Sequence, residues 1–285
     1  MITPFDGDSN VDWQALDKLI ETQLAGEVEG LVPCGTTGES PTLSHDEHKE
    51  VIKRVVGKAK SIKSEVTVIA GTGSNSTREA ISLTRAAAAD GADYALVVNP
   101  YYNKPNQQGL YEHFYAIAEE ATIPVVLYNI PGRTAVSLSL DTIVKLAEHP
   151  NVAAIKEATG DINFMTQVVM NTPDNFSLLS GDDNLLLPIL SIGGQGVISV
   201  ISNLLPQQTS NISRAFLGGD YQTAKKFFDE IFPLSLLMFC QTNPIPVKYA
   251  ASFLGICENA LRQPLTALPD EFKPAIDKAF AAYKN

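Results

Sequence analysis

Cysteine is scarce in this 285-residue chain: Cys34, Cys240 and Cys257 form no CxxC pair and follow no disulfide-framework spacing. That excludes a disulfide-stapled scaffold and points to a reducing compartment. Long apolar runs are missing too. The greasiest stretches, near 185–201 and 231–240, are interrupted by proline, glycine and polar residues. Nothing approaches the roughly 18 uninterrupted apolar positions of a membrane span, so no membrane partner is expected. Basic residues are outnumbered, 21 Lys+Arg to 32 Asp+Glu, for a formal charge of −11. With no clustered basic patch to offset that balance, nucleic acid is excluded as a partner, and an anionic substrate needs a local positive centre. The first residues hold no basic segment followed by an apolar one, so no signal peptide is expected and the cytoplasm is the expected setting. His45, His48 and His113 lack the spacing of a zinc site; no metal is expected, and these histidines are expected on helix surfaces.

What the chain does hold is apolar residue, 45% against 19% charged, enough for one large core or two modest ones. Short apolar runs recur at 28–32, 66–70, 94–98, 125–128, 152–156, 176–179 and 196–199. They are continuous rather than alternating, the pattern of parallel strands covered on both faces. Between them the periodicity predicts helices over 12–24, 44–59, 76–90, 107–120, 139–148, 161–170, 182–190 and 204–218. Ser44 with Glu47, and Ser76 with Glu79, read as capping boxes. An eighth strand is assigned to the stub Met1-Ile2-Thr3 ahead of Pro4, so the α/β fold expected is a closed (β/α)8 TIM barrel over residues 1–218. After 218 the alternation stops. Residues 220–238, 243–257 and 270–283 read as helices of a C-terminal helical domain over 219–285, with Pro233 kinking the first. A doubly wound dinucleotide fold fits less well: Gly71-Thr72-Gly73-Ser74-Asn75-Ser76 comes late, has two of three fingerprint glycines, and reads better as a tight strand-to-helix turn.

In such a barrel the carboxyl ends of the strands carry the site, and the unusual polar residues fall there. The second strand runs into Gly35-Thr36-Thr37-Gly38-Glu39 and the fourth into Asn99-Pro100-Tyr101-Tyr102-Asn103. The fifth ends in Tyr128 and feeds Arg133, the sixth ends in Lys156, and the seventh in Ser180-Gly181-Asp182-Asp183. An ammonium at the end of a buried strand is costly unless it is paired or kept neutral for chemistry. A neutral amine attacks a ketone or aldehyde to form an imine, whose nitrogen draws electrons and eases loss of an α-proton or cleavage of a C–C bond. Tyr128, one strand over, can lend and reclaim a proton with hydroxyl partners, for which Thr36 and Tyr102 are candidates. Arg133 offers a planar fork for a carboxylate. Gly35 and Gly38 let the Thr36-Thr37 backbone approach an anion, which the Thr37 hydroxyl can join. A salt-bridged lysine or a plain turn accounts for each feature alone, but not for five polar strand ends together.

With the strings Gly35-Thr36-Thr37-Gly38-Glu39-Ser40, Asn99-Pro100-Tyr101-Tyr102, Tyr128-Asn129-Ile130-Pro131-Gly132-Arg133-Thr134, Ile155-Lys156-Glu157-Ala158-Thr159-Gly160-Asp161, Ser180-Gly181-Asp182-Asp183 and Gly196-Val197-Ile198-Ser199, the chain resembles the dihydrodipicolinate synthase / N-acetylneuraminate lyase family over essentially all its length. The resemblance implies a lyase that holds pyruvate as a Schiff base on Lys156 and condenses it with L-aspartate 4-semialdehyde on the route to diaminopimelate and lysine. It needs no cofactor beyond that imine. Tyr128 resembles the catalytic tyrosine, in a relay with Thr36 and a Tyr102 supplied by the neighbouring subunit. Thr37 resembles the residue holding the pyruvate carboxylate, Arg133 the one binding the second substrate's carboxylate, and Gly181 and Ile198 backbone contacts in the pocket. Also implied are feedback inhibition by L-lysine at Ser40, Pro41, His45, His48, Asn75, Glu79 and Tyr101, and a homotetramer built as a dimer of dimers, or else a homodimer. Two rivals stand beside this reading. One is an N-acetylneuraminate or 2-keto-3-deoxy-sugar-acid aldolase, against which the arginine in the Tyr-Asn-x-Pro-x-Arg-Thr string speaks. The other is a non-catalytic oxoacid binder, which has no need of a proton relay.

Overall fold

Seven strands in chain order, β1 (Gly30–Leu31), β2 (Thr67–Gly71), β3 (Tyr94–Val98), β4 (Val125–Asn129), β5 (Val152–Glu157), β6 (Ser177–Ser180) and β7 (Gly196–Val197), make one parallel sheet in this computed structural model, which describes residues 1–283. The helices are α1 (Trp13–Ala25), α2 (His45–Ile62), α3 (Thr77–Ala89), α4 (Gln107–Glu120), α5 (Pro131–Thr134), α6 (Leu140–Ala147), α7 (Ile162–Asn171), α8 (Leu186–Ser191) and α9 (Pro206–Leu217), followed by α10 (Tyr221–Leu237), α11 (Ile245–Phe253) and α12 (Lys273–Phe280).

The expected closure by an eighth strand does not form. Met1, Ile2 and Thr3 join no ladder, and Pro4 beside them has no N–H with which to extend one. They are tied down by other means: the Met1 ammonium donates to the Val32 carbonyl at 2.8 Å, Ile2 N–H to Asn203 Oδ1 at 2.8 Å, and the Thr3 hydroxyl to the Gly38 carbonyl at 2.7 Å. The closed (β/α)8 barrel is therefore corrected to an α/β fold with a seven-stranded parallel sheet and C-terminal helices. Two local expectations change as well. The Ser44–Glu47 box forms in full, but Ser76 makes no side-chain cap, because Ser74 Oγ takes the Glu79 carboxylate and accepts the Ser76 N–H instead. Pro233 lies inside α10 without ending it.

The chain divides into two compact units, residues 67–198 and residues 1–66 with 199–285. In the first unit, β3, β4 and β5 pair in parallel with Val98 beside Tyr128 and Tyr128 beside Lys156. Side chains alternate across a strand, so Ala95 and Val97, Val125 and Leu127, and Ile155 share one face. That face packs on Leu110, Phe114 and Ile117 of α4, Ile143 and Leu146 of α6, and Met165 and Val168 of α7. Each such side chain contributes about 1.5–3 kcal/mol on full burial. The opposite face carries Tyr128 and Lys156.

His48 and His113 are buried rather than on helix surfaces, while His45 is exposed. His113 shares a hydrogen bond with Thr77 Oγ1 at 2.9 Å and meets Phe114 edge-on. Burial holds its imidazole down at about 4, against 6.5 for the free group. Between those values the unfolded chain binds the proton and the folded chain does not, so this contribution is complete above pH 6.5 and is lost as pH falls toward 4. Its ceiling is about 3 kcal/mol. Urea midpoints are expected to fall over this range in the wild type and to fall less in His113→Gln; equal slopes would contradict this.

In the second unit, Asp12 caps α1 by accepting from Gln14 N and Ala15 N, and Asp220 caps α10 by accepting from Thr223 N. Arg54 holds Asp17 between α2 and α1 with two hydrogen bonds, at 2.8 and 2.6 Å. No described helix is long and apolar enough to cross a membrane.

Candidate active site

Lys156 is the penultimate residue of β5 and Tyr128 that of β4, and the parallel register sets them side by side. The Lys156 Nζ lies 4.2 Å from the centre of the Tyr128 ring. Both side chains are buried, 8% and 5% exposed, so the amine is screened from bulk water and faces an aromatic surface and a phenol. Gly181, at the end of β6, closes this corner. A Cβ there would stand 2.6 Å from Ala158 Cβ and 3.3 Å from Lys156 Cε, so any other residue would have to displace Ala158 and would press on the lysine. Its N–H donates to the Glu157 carbonyl at 2.7 Å, and Ile198 N–H donates to the Ser180 carbonyl at 2.9 Å, which carries the step on to the next strand end. Asp182 sits close by. Burial pushes its carboxyl up, and the charge of Lys156 partly pulls it back.

The remaining expected residues of this unit spread outward. Arg133 lies exposed on α5, a single turn that the periodicity misses because four residues are too short to show a period. Tyr102 is 90% exposed with φ of +72°, and its neighbour Tyr101 is partly covered. Asn75, Tyr101 and Glu79 do come together. Asn75 Nδ2 donates to the Tyr101 carbonyl at 3.2 Å, Asn103 Nδ2 to the Asn75 carbonyl at 2.8 Å, and the Tyr101 phenol is pushed up by burial and by the Glu79 charge. Asp161 of the lysine string is a helix cap, accepting from Asn163 N and Phe164 N of α7.

The second unit holds Thr36, Thr37, Ser40, Pro41, His45 and His48. Gly35 to Glu39 form a tight turn, with Gly38 N–H donating to Gly35 O and Glu39 N–H to Thr36 O, both at 3.1 Å. The turn ends at Glu39 in the left-handed region, φ +54°, which costs a non-glycine residue roughly 1 kcal/mol or more. Ser40 and Pro41 begin the following 3₁₀ turn, His45 opens α2, and the His48 carbonyl accepts from Cys34 Sγ at 3.5 Å.

Residues from the far end of the chain anchor that turn, and sequence reading missed them. Asn243 Nδ2 donates to the Thr37 hydroxyl at 2.9 Å. Lys248, fully buried on α11, pairs with the fully buried Glu39 at 2.5 Å, donates to Ala260 O at 2.7 Å, and lies 4.0 Å from the centre of the Phe5 ring. Burial pulls the Lys248 ammonium down and Glu39 opposes that. Arg262 N–H reaches the other Glu39 oxygen at 3.1 Å, and its guanidinium forks onto Glu47 at 2.9 and 2.6 Å. That fork holds the Glu47 carboxyl down at about 2. The only sequence signal for Lys248 was a charge in an apolar helix. Among the described residues, no group of three or more His, Cys, Asp or Glu side chains is placed to hold a metal ion.

A family model described as the dihydrodipicolinate synthetase family matches residues 1–283. A 4-hydroxy-tetrahydrodipicolinate synthase of Leptospira biflexa is 53% identical over 270 residues, covering 95% of this chain and 90% of its own. The crystal structure of dihydrodipicolinate synthase from Aquifex aeolicus superposes with a TM-score of 0.95 at 45% identity, over 99% of this chain and 96% of that one. That of the chloride-inhibited dihydrodipicolinate synthase from Acinetobacter baumannii complexed with pyruvate also scores 0.95, at 43% identity and the same coverage.

Proposed function

The chain belongs to the dihydrodipicolinate synthetase family, and we propose that it condenses pyruvate with L-aspartate 4-semialdehyde to (4S)-4-hydroxy-2,3,4,5-tetrahydrodipicolinate. The observation that carries this reading is the buried amine of Lys156 against the Tyr128 ring at adjoining strand ends. The amine adds to the keto carbon of pyruvate and water leaves, giving an imine. Loss of a methyl proton makes an enamine, which attacks the aldehyde carbon of the second substrate while its oxygen takes a proton. The amino group of that substrate then adds to the imine carbon, closes the ring and frees Lys156. Tyr128 handles the protons, in a relay with Thr36 and Tyr102. Thr37 holds the pyruvate carboxylate, Arg133 that of the semialdehyde, and Gly181 and Ile198 line the pocket. The pyruvate bound by the Acinetobacter relative supports the first half, and the arginine fork in an otherwise acidic chain supports the second.

The strand-and-helix portion, 1–218, carries the chemistry, and 219–285 braces it. The exposure of Tyr102 supports its serving a neighbouring copy in a homodimer or a dimer of dimers. L-Lysine is the effector in this reading, at Ser40, Pro41, His45, His48, Asn75, Glu79 and Tyr101. Millimolar L-lysine is expected to lower turnover in the wild type and not in Glu79→Ala; unchanged wild-type rates would remove this part. The deciding experiment is a coupled assay with pyruvate and aspartate semialdehyde, run beside cleavage of N-acetylneuraminate. Condensation alone is expected; cleavage alone would overturn the reading.

A further inference from the structure

One residue beyond Tyr128 and Lys156, on the opposite face of the same strands, a chain of buried polar side chains crosses three strand ends. Asn99, Asn129 and Glu157 are each fully buried. Asn99 Nδ2 donates to Asn129 Oδ1 at 2.8 Å, and Asn129 Nδ2 donates to Glu157 Oε2 at 2.8 Å. The second Glu157 oxygen accepts Thr159 N–H at 2.8 Å. Asn129 also reaches the segment that follows α5: its Oδ1 accepts Leu138 N–H at 3.0 Å and its Nδ2 donates to Ser137 Oγ at 3.3 Å. Asn99 Nδ2 makes a longer bond to Val136 O at 3.4 Å. Thr134 closes the same segment on itself, its hydroxyl bonding Ile130 O and Val136 O at 3.1 and 2.9 Å. Glu157, on the strand bearing Lys156, is thus linked through Asn129 to the segment that follows the Arg133 turn. A buried carboxylate is expensive, and the raised Glu157 carboxyl reflects that burial, so the group needs these donors. The imine chemistry assigned above makes no use of it.

We propose that Glu157 is a positioning residue that, through Asn129, holds the Arg133 segment in register with Lys156 and so sets where the second substrate's carboxylate docks relative to the imine. This rests on the reading of Arg133 as the carboxylate anchor. In Glu157→Gln the volume is kept, but an amide N–H₂ must face either the Asn129 N–H₂ or the Thr159 N–H, so one of the two bonds is lost. An error of about 1 Å in docking a reactant costs roughly a hundredfold in rate, so a partial loosening is large enough to read.

The expected result for Glu157→Gln is a KM for aspartate semialdehyde raised about tenfold, with the borohydride-trapped pyruvate adduct still forming at the wild-type rate. Added to Arg133→Ala, the same change is expected to raise that KM no further. A KM unchanged by Glu157→Gln, or effects of the two substitutions that simply multiply, would overturn the proposal. Should Glu157→Gln not fold, Asn99→Ser at the far end of the bonded chain carries the same test with the same expected shift. Amide exchange of residues 131–139 separates this proposal from the reaction it rests on. Faster exchange there in the variant, with β3 and β4 unchanged, supports the positioning role even if the wild type shows no condensation, an outcome that would reject the reaction instead. Unchanged exchange rejects the positioning role.

Discussion

Lys156→Ala is expected to lower turnover by three orders of magnitude or more, at least about 4 kcal/mol at the barrier, because the covalent intermediate cannot form. Borohydride with pyruvate should leave the variant's intact mass unchanged, while the wild type gains one reduced pyruvate per chain. The fold should survive. Lys156 is buried with its amine against one ring, and truncation removes the cost of burying that amine together with its contacts, so the melting temperature should stay within a few degrees of wild type. Near-normal turnover, or an adduct that persists on another residue, would end the assignment.

The second large effect lies away from the chemistry. Lys248→Met is expected to cost about 3–5 kcal/mol of stability, on the order of 10 °C in melting temperature, since it leaves the Glu39 carboxylate buried without its ammonium. Adding Glu39→Gln should recover a large part of that loss, because no uncompensated charge then remains. Calorimetry on the two single variants and the double variant reads the coupling directly. Strictly additive losses would mean that the pair is not coupled. The damage should reach function too. Glu39 ends the turn that presents Thr36 and Thr37 in a left-handed conformation, and its carboxylate is held by Lys248 and the Arg262 N–H, so loosening it should raise the KM for pyruvate.

Much of this was legible in the sequence because periodicity and strand-end chemistry are local. The apolar runs place β2 to β6 within a residue or two, and the polar residues that close them put Tyr128 and Lys156 at neighbouring positions in the sheet. The misses share a different cause. Glu39–Lys248, Asn243–Thr37 and Asn129–Glu157 are pairings between distant segments, which no local window contains. The segment at residues 1–3 looked like a strand because composition carries no information about ladder partners. Ser76 carried a valid cap signature and lost its partner to Ser74, a competition that is visible only in three dimensions.

Lys156 and Glu157 are consecutive residues that lie on opposite faces of β5. Because a strand reverses face at every step, inserting or deleting a single residue upstream within it would bring the carboxylate, or the preceding isoleucine, round to where the amine belongs. The spacing inside that six-residue strand is therefore closed to evolutionary drift.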